Sequence, residues 1–260
     1  MLRTLLLMPV VLGLAGRLNA DVQTKTITYK DGDVDCKGFL AYDDAISGPR
    51  PGVLVVHEIW GLNDYARGRA EQLAKMGYIA LAADMFGEGK TAEHPDDAMA
   101  MGRKIRQNVD AWRRRALAGI DALKAQPQCD PSKLAAIGYC FGGSTVLELA
   151  YAGSDLKAVV SFHGGLVPAK ADEVKNITAA ILVCHGADDS LIPAAAIKAF
   201  RDALDHGKVP YEFVAYPGAV HSFTVPGAEN RGLKGLKYDK RADEDSWKRM
   251  ADLFKDKFEK

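Results

Sequence analysis

Neither sign of charge is in excess. Lys plus Arg and Asp plus Glu each number 34, and the formal net charge is zero. A chain built to track a phosphate backbone or an anionic bilayer carries a basic surplus. The overall balance therefore points to neither nucleic acid nor a charged membrane surface, and any attraction for an anionic substrate must be local. Cysteine is scarce. Cys36, Cys129, Cys140 and Cys184 form no C-x-x-C pair and match no zinc-ligand spacing. That argues against dithiol redox chemistry, and the sequence calls for no metal or organic cofactor. In an oxidising compartment Cys36 and Cys129 could pair, whereas Cys184 lies in an apolar run and reads as a buried free thiol. No apolar run approaches the roughly 20 residues that a bilayer-spanning helix needs. There is also no internal repeat, low-complexity tract or linker.

The N-terminus has its own pattern. Met1-Leu2-Arg3 carries one positive charge, residues 4–16 are almost wholly apolar, and Leu18-Asn19-Ala20 precede Asp21. A basic start, an apolar centre and a small terminal residue describe a secretory signal peptide, with Arg17 an unusual intrusion. The expectation is cleavage after Ala20 and an exported (periplasmic or secreted) soluble protein, with one domain over residues 21–260. No membrane association is expected once the signal is removed, and the mature chain is expected to be a monomer or small homo-oligomer. Asn176-Ile177-Thr178 is a glycosylation sequon, meaningful only where the host glycosylates.

Residues 24–29 alternate, Asp31-Gly32 turns and residues 36–42 resume an extended pattern, predicting an antiparallel edge hairpin. A short, fully apolar run at 53–56 and further largely apolar runs at 78–83, 134–138, 156–162 and 179–184 have the character of central strands. Between them, residues 65–76, 95–125 (one helix or two) and 194–204 have helical spacing. Residues 86–97 read as a loop and 211–215 as extended. Trp247, Met250, Leu253, Phe254 and Phe258 predict the apolar stripe of a closing helix. This alternation predicts a doubly wound, mostly parallel α/β sheet, with ligands held beyond the carboxyl ends of its strands.

Four chemical groups fall at such strand ends. Gly138-Tyr139-Cys140-Phe141-Gly142 joins an apolar run to a helical pattern with the spacing of a nucleophile elbow, Cys standing where Ser is usual. Its turn is so tight that residues two before and two after the nucleophile must lack side chains. The sulfur would sit at a helix N-terminus, which favours thiolate. Asp189, with Asp188 as its rival, follows the run ending at Cys184 and could orient a histidine. His221 lies in the loop after the last strand, which gives the nucleophile–acid–His order of α/β-hydrolases. His57, His163 and His185 compete with it but sit in or beside strands, where packed histidines are expected. Glu58 follows His57 at the end of a run of four apolar residues, where an unpartnered carboxylate is costly. The N–H groups of Ile59 and Phe141 are placed to form an oxyanion hole.

These motifs, together with His57-Glu58-Ile59-Trp60-Gly61-Leu62-Asn63, Gly186-Ala187-Asp188-Asp189-Ser190-Leu191-Ile192-Pro193 and His221-Ser222-Phe223, resemble in order those of the dienelactone hydrolase family of α/β-hydrolases. The resemblance spans the mature chain. It implies the α/β-hydrolase fold, a Cys140–His221–Asp189 triad, and a Glu58 that helps deprotonate the resting thiol. It also implies cleavage of an activated ester or lactone through a thioester acyl-enzyme. A thiolate suits a good leaving group such as an enolate, because a poor alkoxide leaving group would expel the thiolate instead. The family's carboxylate-binding Arg, four residues after the catalytic His, is replaced by Val225. Arg103, Arg106, Arg113, Arg114 and Arg115 lie in a helical segment and read as solvated, while Arg231 and Lys234 could substitute. The alternative is a non-catalytic binding protein on the same fold.

Overall fold

In the computed structural model the described residues are 22–259, so the expected signal peptide lies outside them. The elements run β1 Val22–Asp31, β2 Val34–Asp43, β3 Arg50–Val56, α1 Asp64–Lys75, β4 Ile79–Ala83, α2 Pro95–Arg106, α3 Val109–Lys124, β5 Cys129–Tyr139, α4 Phe141–Tyr151, β6 Ala158–Phe162, β7 Ala180–Gly186, α5 Ala194–His206, β8 Tyr211–Tyr216 and α6 Lys240–Glu259. They build one eight-stranded sheet of order β1-β2-β4-β3-β5-β6-β7-β8. The expected hairpin is present. β1 and β2 run antiparallel, with Asp31 facing Val34 across the two-residue turn Gly32-Asp33, β2 also runs antiparallel to β4, and the remaining pairings are parallel.

Alternation along the central strands builds two cores, because successive side chains leave opposite faces of the sheet. Val53 and Val55 of β3 pack with Leu73 of α1 and Met250 and Phe254 of α6. Leu54 and Val56 pack on the other face with Trp112 and Ile120 of α3 and Val146 of α4. The segment 95–125 is two helices, and Asn108 caps the second by accepting the Ala111 N–H at 3.0 Å. The expected stripe of α6 is present: Met250, Phe254 and Phe258 are buried with Ala242 and Ser246, and Trp247 and Leu253 are half-buried and packed against the same core. Trp247 also leans on the Arg69 guanidinium, 5.0 Å from its ring. One strand boundary differs from expectation. β5 begins at Cys129 rather than Leu134, because Arg50 and Pro51 of β3 pair with Cys129 and Asp130 ahead of a register shift.

All four cysteines are free, including Cys36 and Cys129. Burial pushes the Cys36 and Cys129 thiols up to about 11 and that of Cys184 to about 12. Cys140 is the partly exposed cysteine.

Candidate active site

Cys140 stands between β5 and α4 with φ 54° and ψ −110°, a left-handed conformation that is strained for a residue with a side chain. The turn is held by extreme proximity. A Cβ on Gly142 would lie 2.1 Å from the Val56 carbonyl oxygen, and one on Gly138 would lie 2.0 Å from that of Gly142. Gly142→Ala is therefore expected to destabilise the protein by about 2 kcal/mol or more. This would be measured as a lower denaturant midpoint at unchanged m-value.

His221 reaches the same place from the loop after β8, and Asp189 from the loop after β7. The His221 Nδ1 and Asp189 Oδ2 are 2.7 Å apart, and the other Asp189 oxygen accepts the Leu191 N–H at 2.9 Å. The Asp189 side chain is fully buried, whereas Asp188 is exposed, so the structure chooses between the two. Burial alone would lower the His221 pKa. The adjacent Cys140 sulfur and Asp189 outweigh it and carry the imidazole up to about 10. His221 thus holds its proton through the neutral range.

Glu58 follows β3 and is buried. Its Oε1 accepts the Ser222 hydroxyl at 2.6 Å, and among the described residues no hydrogen bond joins it to Cys140. Burial raises its pKa, opposed by the Ser222 hydrogen bond and by the charges of His221 and Arg231. His57 pins this turn, with Nδ1 2.5 Å from the Glu58 carbonyl oxygen and Nε2 accepting the Met85 N–H at 3.2 Å. Burial drives its pKa down to about 4, so it is a neutral, packed residue, as its strand position suggests. Among the described residues the amides of Ile59 and Phe141 have no internal acceptor. The Phe141 ring stacks on Trp112 at 5.5 Å, which directs its side chain into the core.

Glu58, Ile59, Cys140, Phe141 and His221 line one cavity of about 470 Å³, with Asp189 directly behind His221. Ser222 also lines it, at φ 54°. Its signal was present in the sequence, as the neighbour of His221 in His221-Ser222-Phe223. Arg103 and Arg106, read as solvated, do face solvent but also line the mouth with Lys234. The other three arginines of that segment are structural: Arg113 pairs with Glu148 and Glu173, and Arg114 and Arg115 pair with Asp31. Arg231 lies 5.2 Å over the Trp60 ring, and Val225 is packed into the core.

Residues 36–258 match the model of the dienelactone hydrolase family. A provisionally named carboxymethylenebutenolidase of Yersinia pestis is 29% identical over 242 residues, 88% of this chain and 86% of that one. Among solved structures, a dienelactone hydrolase-like promiscuous phosphotriesterase from metagenomic libraries is 44% identical with a TM-score of 0.88, covering 91% of this chain and 98% of its own. The structure of m3DLH is 41% identical with a TM-score of 0.89, covering 92% and 99%.

Proposed function

The chain belongs to the dienelactone hydrolase family, and on that premise we propose that it hydrolyses activated carboxylic esters or lactones with Cys140 as nucleophile. The observation that carries this reading is the convergence of Cys140, a proton-holding His221 and a buried Asp189 at one cavity wall, below two amides with no internal acceptor.

The thiolate of Cys140 adds to the carbonyl carbon, and the Ile59 and Phe141 N–H groups receive the oxyanion. The tetrahedral adduct collapses to a thioester and expels an alkoxide or enolate, which takes the His221 proton. The now neutral His221 removes a proton from water, the resulting hydroxide adds to the thioester, and the Cys140 thiolate leaves beside a reprotonated imidazolium. Glu58 can take up the proton of a resting thiol. When it does not, the Ser222 hydroxyl holds it aside.

The cavity walls are mostly apolar, and its mouth carries Arg103, Arg106 and Lys234. These cations take the place of the arginine that Val225 does not supply, so a substrate with an apolar body and an anionic group is favoured. Acid-quenched mass spectrometry with a carboxylate-bearing enol-lactone and its methyl ester tests this. An acyl adduct on Cys140 is expected with both, and a lower KM for the carboxylate. No adduct on Cys140 during turnover would refute the mechanism.

A second electrophile is supported by the 44% identity to a phosphotriesterase. The thiolate would attack phosphorus, an aryloxide would leave with the His221 proton, and Cys140 would gain the dialkylphosphoryl mass.

A further inference from the structure

His163 carries the unusual backbone angle φ 41° at the end of β6, and its side chain is fully buried. Five non-glycine residues have positive φ among those described, and three of them, Cys140, His163 and Ser222, stand at this site. Such strain persists only where the surroundings over-determine it, and it gathers at functional positions. The His163 backbone is held by its N–H donating to the Cys184 carbonyl at 2.8 Å. Its ring lies 5.3 Å from that of His221, edge to face.

The hydrogen bonds of this ring have a definite direction. The Cys140 N–H can only donate, and it reaches His163 Nδ1 at 3.1 Å while also meeting the Phe162 carbonyl at 3.0 Å. Nδ1 must therefore be a lone pair, and the proton is on Nε2, 2.7 Å from Thr224 Oγ1. Thr224 accepts it, and its Oγ1 lies 2.6 Å from the Tyr65 hydroxyl oxygen, a hydrogen bond that either hydroxyl can donate. The Tyr65 oxygen accepts from Arg69 Nε at 3.2 Å. Arg69 closes the assembly by donating to the Thr224 carbonyl at 2.9 Å and pairing with Asp243 of α6 at 2.5 Å. A protonated His163 would aim a second N–H at the Cys140 amide. Burial, aided by the charges of His221 and Arg69, holds its pKa well below the ordinary value.

We propose that His163 is a positioning residue: its Nδ1 lone pair holds the backbone amide of Cys140, so that the nucleophile keeps its strained aim, and Thr224 enforces the tautomer that makes this possible. His163 touches neither substrate nor reacting atoms, so its effect should fall on kcat rather than KM.

The role rests on the hydrolase reading above, and Cys140→Ala separates the two. Turnover that survives that change sinks the reading itself, whereas the positioning role is judged with Cys140 intact. Thr224→Val removes the acceptor of Nε2–H at almost constant volume, and Thr224→Ser restores it. With an aryl ester, Thr224→Val is expected to lose about tenfold or more in kcat at a KM within about threefold of the parent, and Thr224→Ser to recover most of the loss. His163→Asn keeps an acceptor near the place of Nδ1 and His163→Gln keeps only a group near that of Nε2, so Asn should be the faster by about tenfold. A Thr224→Val protein with kcat within about twofold of the parent overturns the proposal, as does a Thr224→Ser protein equally slow. Should the His163 variants fail to fold, the Thr224 pair decides alone.

Discussion

Replacing Cys140 by Ala lowers ester turnover by on the order of 10⁴-fold or more, with the fold kept. Both halves of this result have a structural reason. The strain at φ 54° belongs to the backbone and is much the same for Ala as for Cys, and the side chain removed is small, partly exposed in a cavity and packed only against the edge of the core. What disappears is the sulfur proposed to attack. Cys140→Ser should be almost as slow, since an alcohol is a far weaker acid than a thiol and is not ionised at rest. Alkylation should reproduce the loss selectively, because burial keeps the other three thiols protonated and out of reach. The check is steady-state turnover of one aryl ester by parent, variant and alkylated protein. Retention of more than about 1% of the parent rate by Cys140→Ala contradicts the nucleophile assignment.

Asp189→Asn is expected to lower kcat by roughly 10³- to 10⁴-fold, again without unfolding the protein. One Asp189 oxygen faces His221 Nδ1 and the other accepts the Leu191 N–H. An amide can satisfy only one of these. If its NH₂ faces His221, Nδ1 must be a lone pair and the wrong tautomer is imposed. If it is flipped, two N–H groups meet at Leu191. Asp188→Asn, at an exposed side chain, should stay within about twofold of the parent, as surface changes usually do.

The pH profile supplies the second readout. Asp189 helps raise the His221 pKa above its ordinary 6.5, so the imidazolium proposed to protonate the leaving group is present below the raised value and lost above it. The alkaline limb of acylation therefore lies near 10 in the parent and moves to lower pH in Asp189→Asn. Linkage has the same sign. The stability that protonated His221 contributes is complete below 6.5 and fades as pH rises through about 10. In the variant it fades earlier.

Much of the site was legible because its constraints are local. The Gly138/Gly142 spacing around Cys140 reflects contacts that one turn makes with itself and with the adjoining strand. The strand ends ahead of Glu58 and Asp189 could be read from apolar runs that stop at Val56 and Cys184. Three features were not legible. The Glu58–Ser222 hydrogen bond joins residues 164 apart, and that between His163 and Thr224 joins residues 61 apart. Arg103 and Arg106 share a helix pattern with Arg113, Arg114 and Arg115, yet the first two line the cavity while the others hold Glu148, Glu173 and Asp31.

By itself, then, the chain's order of residues determined the alternation of strands and helices, the elbow and the succession Cys140, Asp189, His221. These follow from backbone periodicity and from steric limits within a few residues. The tertiary structure alone decided between Asp188 and Asp189, which arginines face the cavity and what holds Glu58 and the Cys140 amide. Those outcomes depend on how loops from distant strands meet over the sheet edge, and a hydrogen bond a few tenths of an ångström too long or turned the wrong way leaves no mark on sequence pattern.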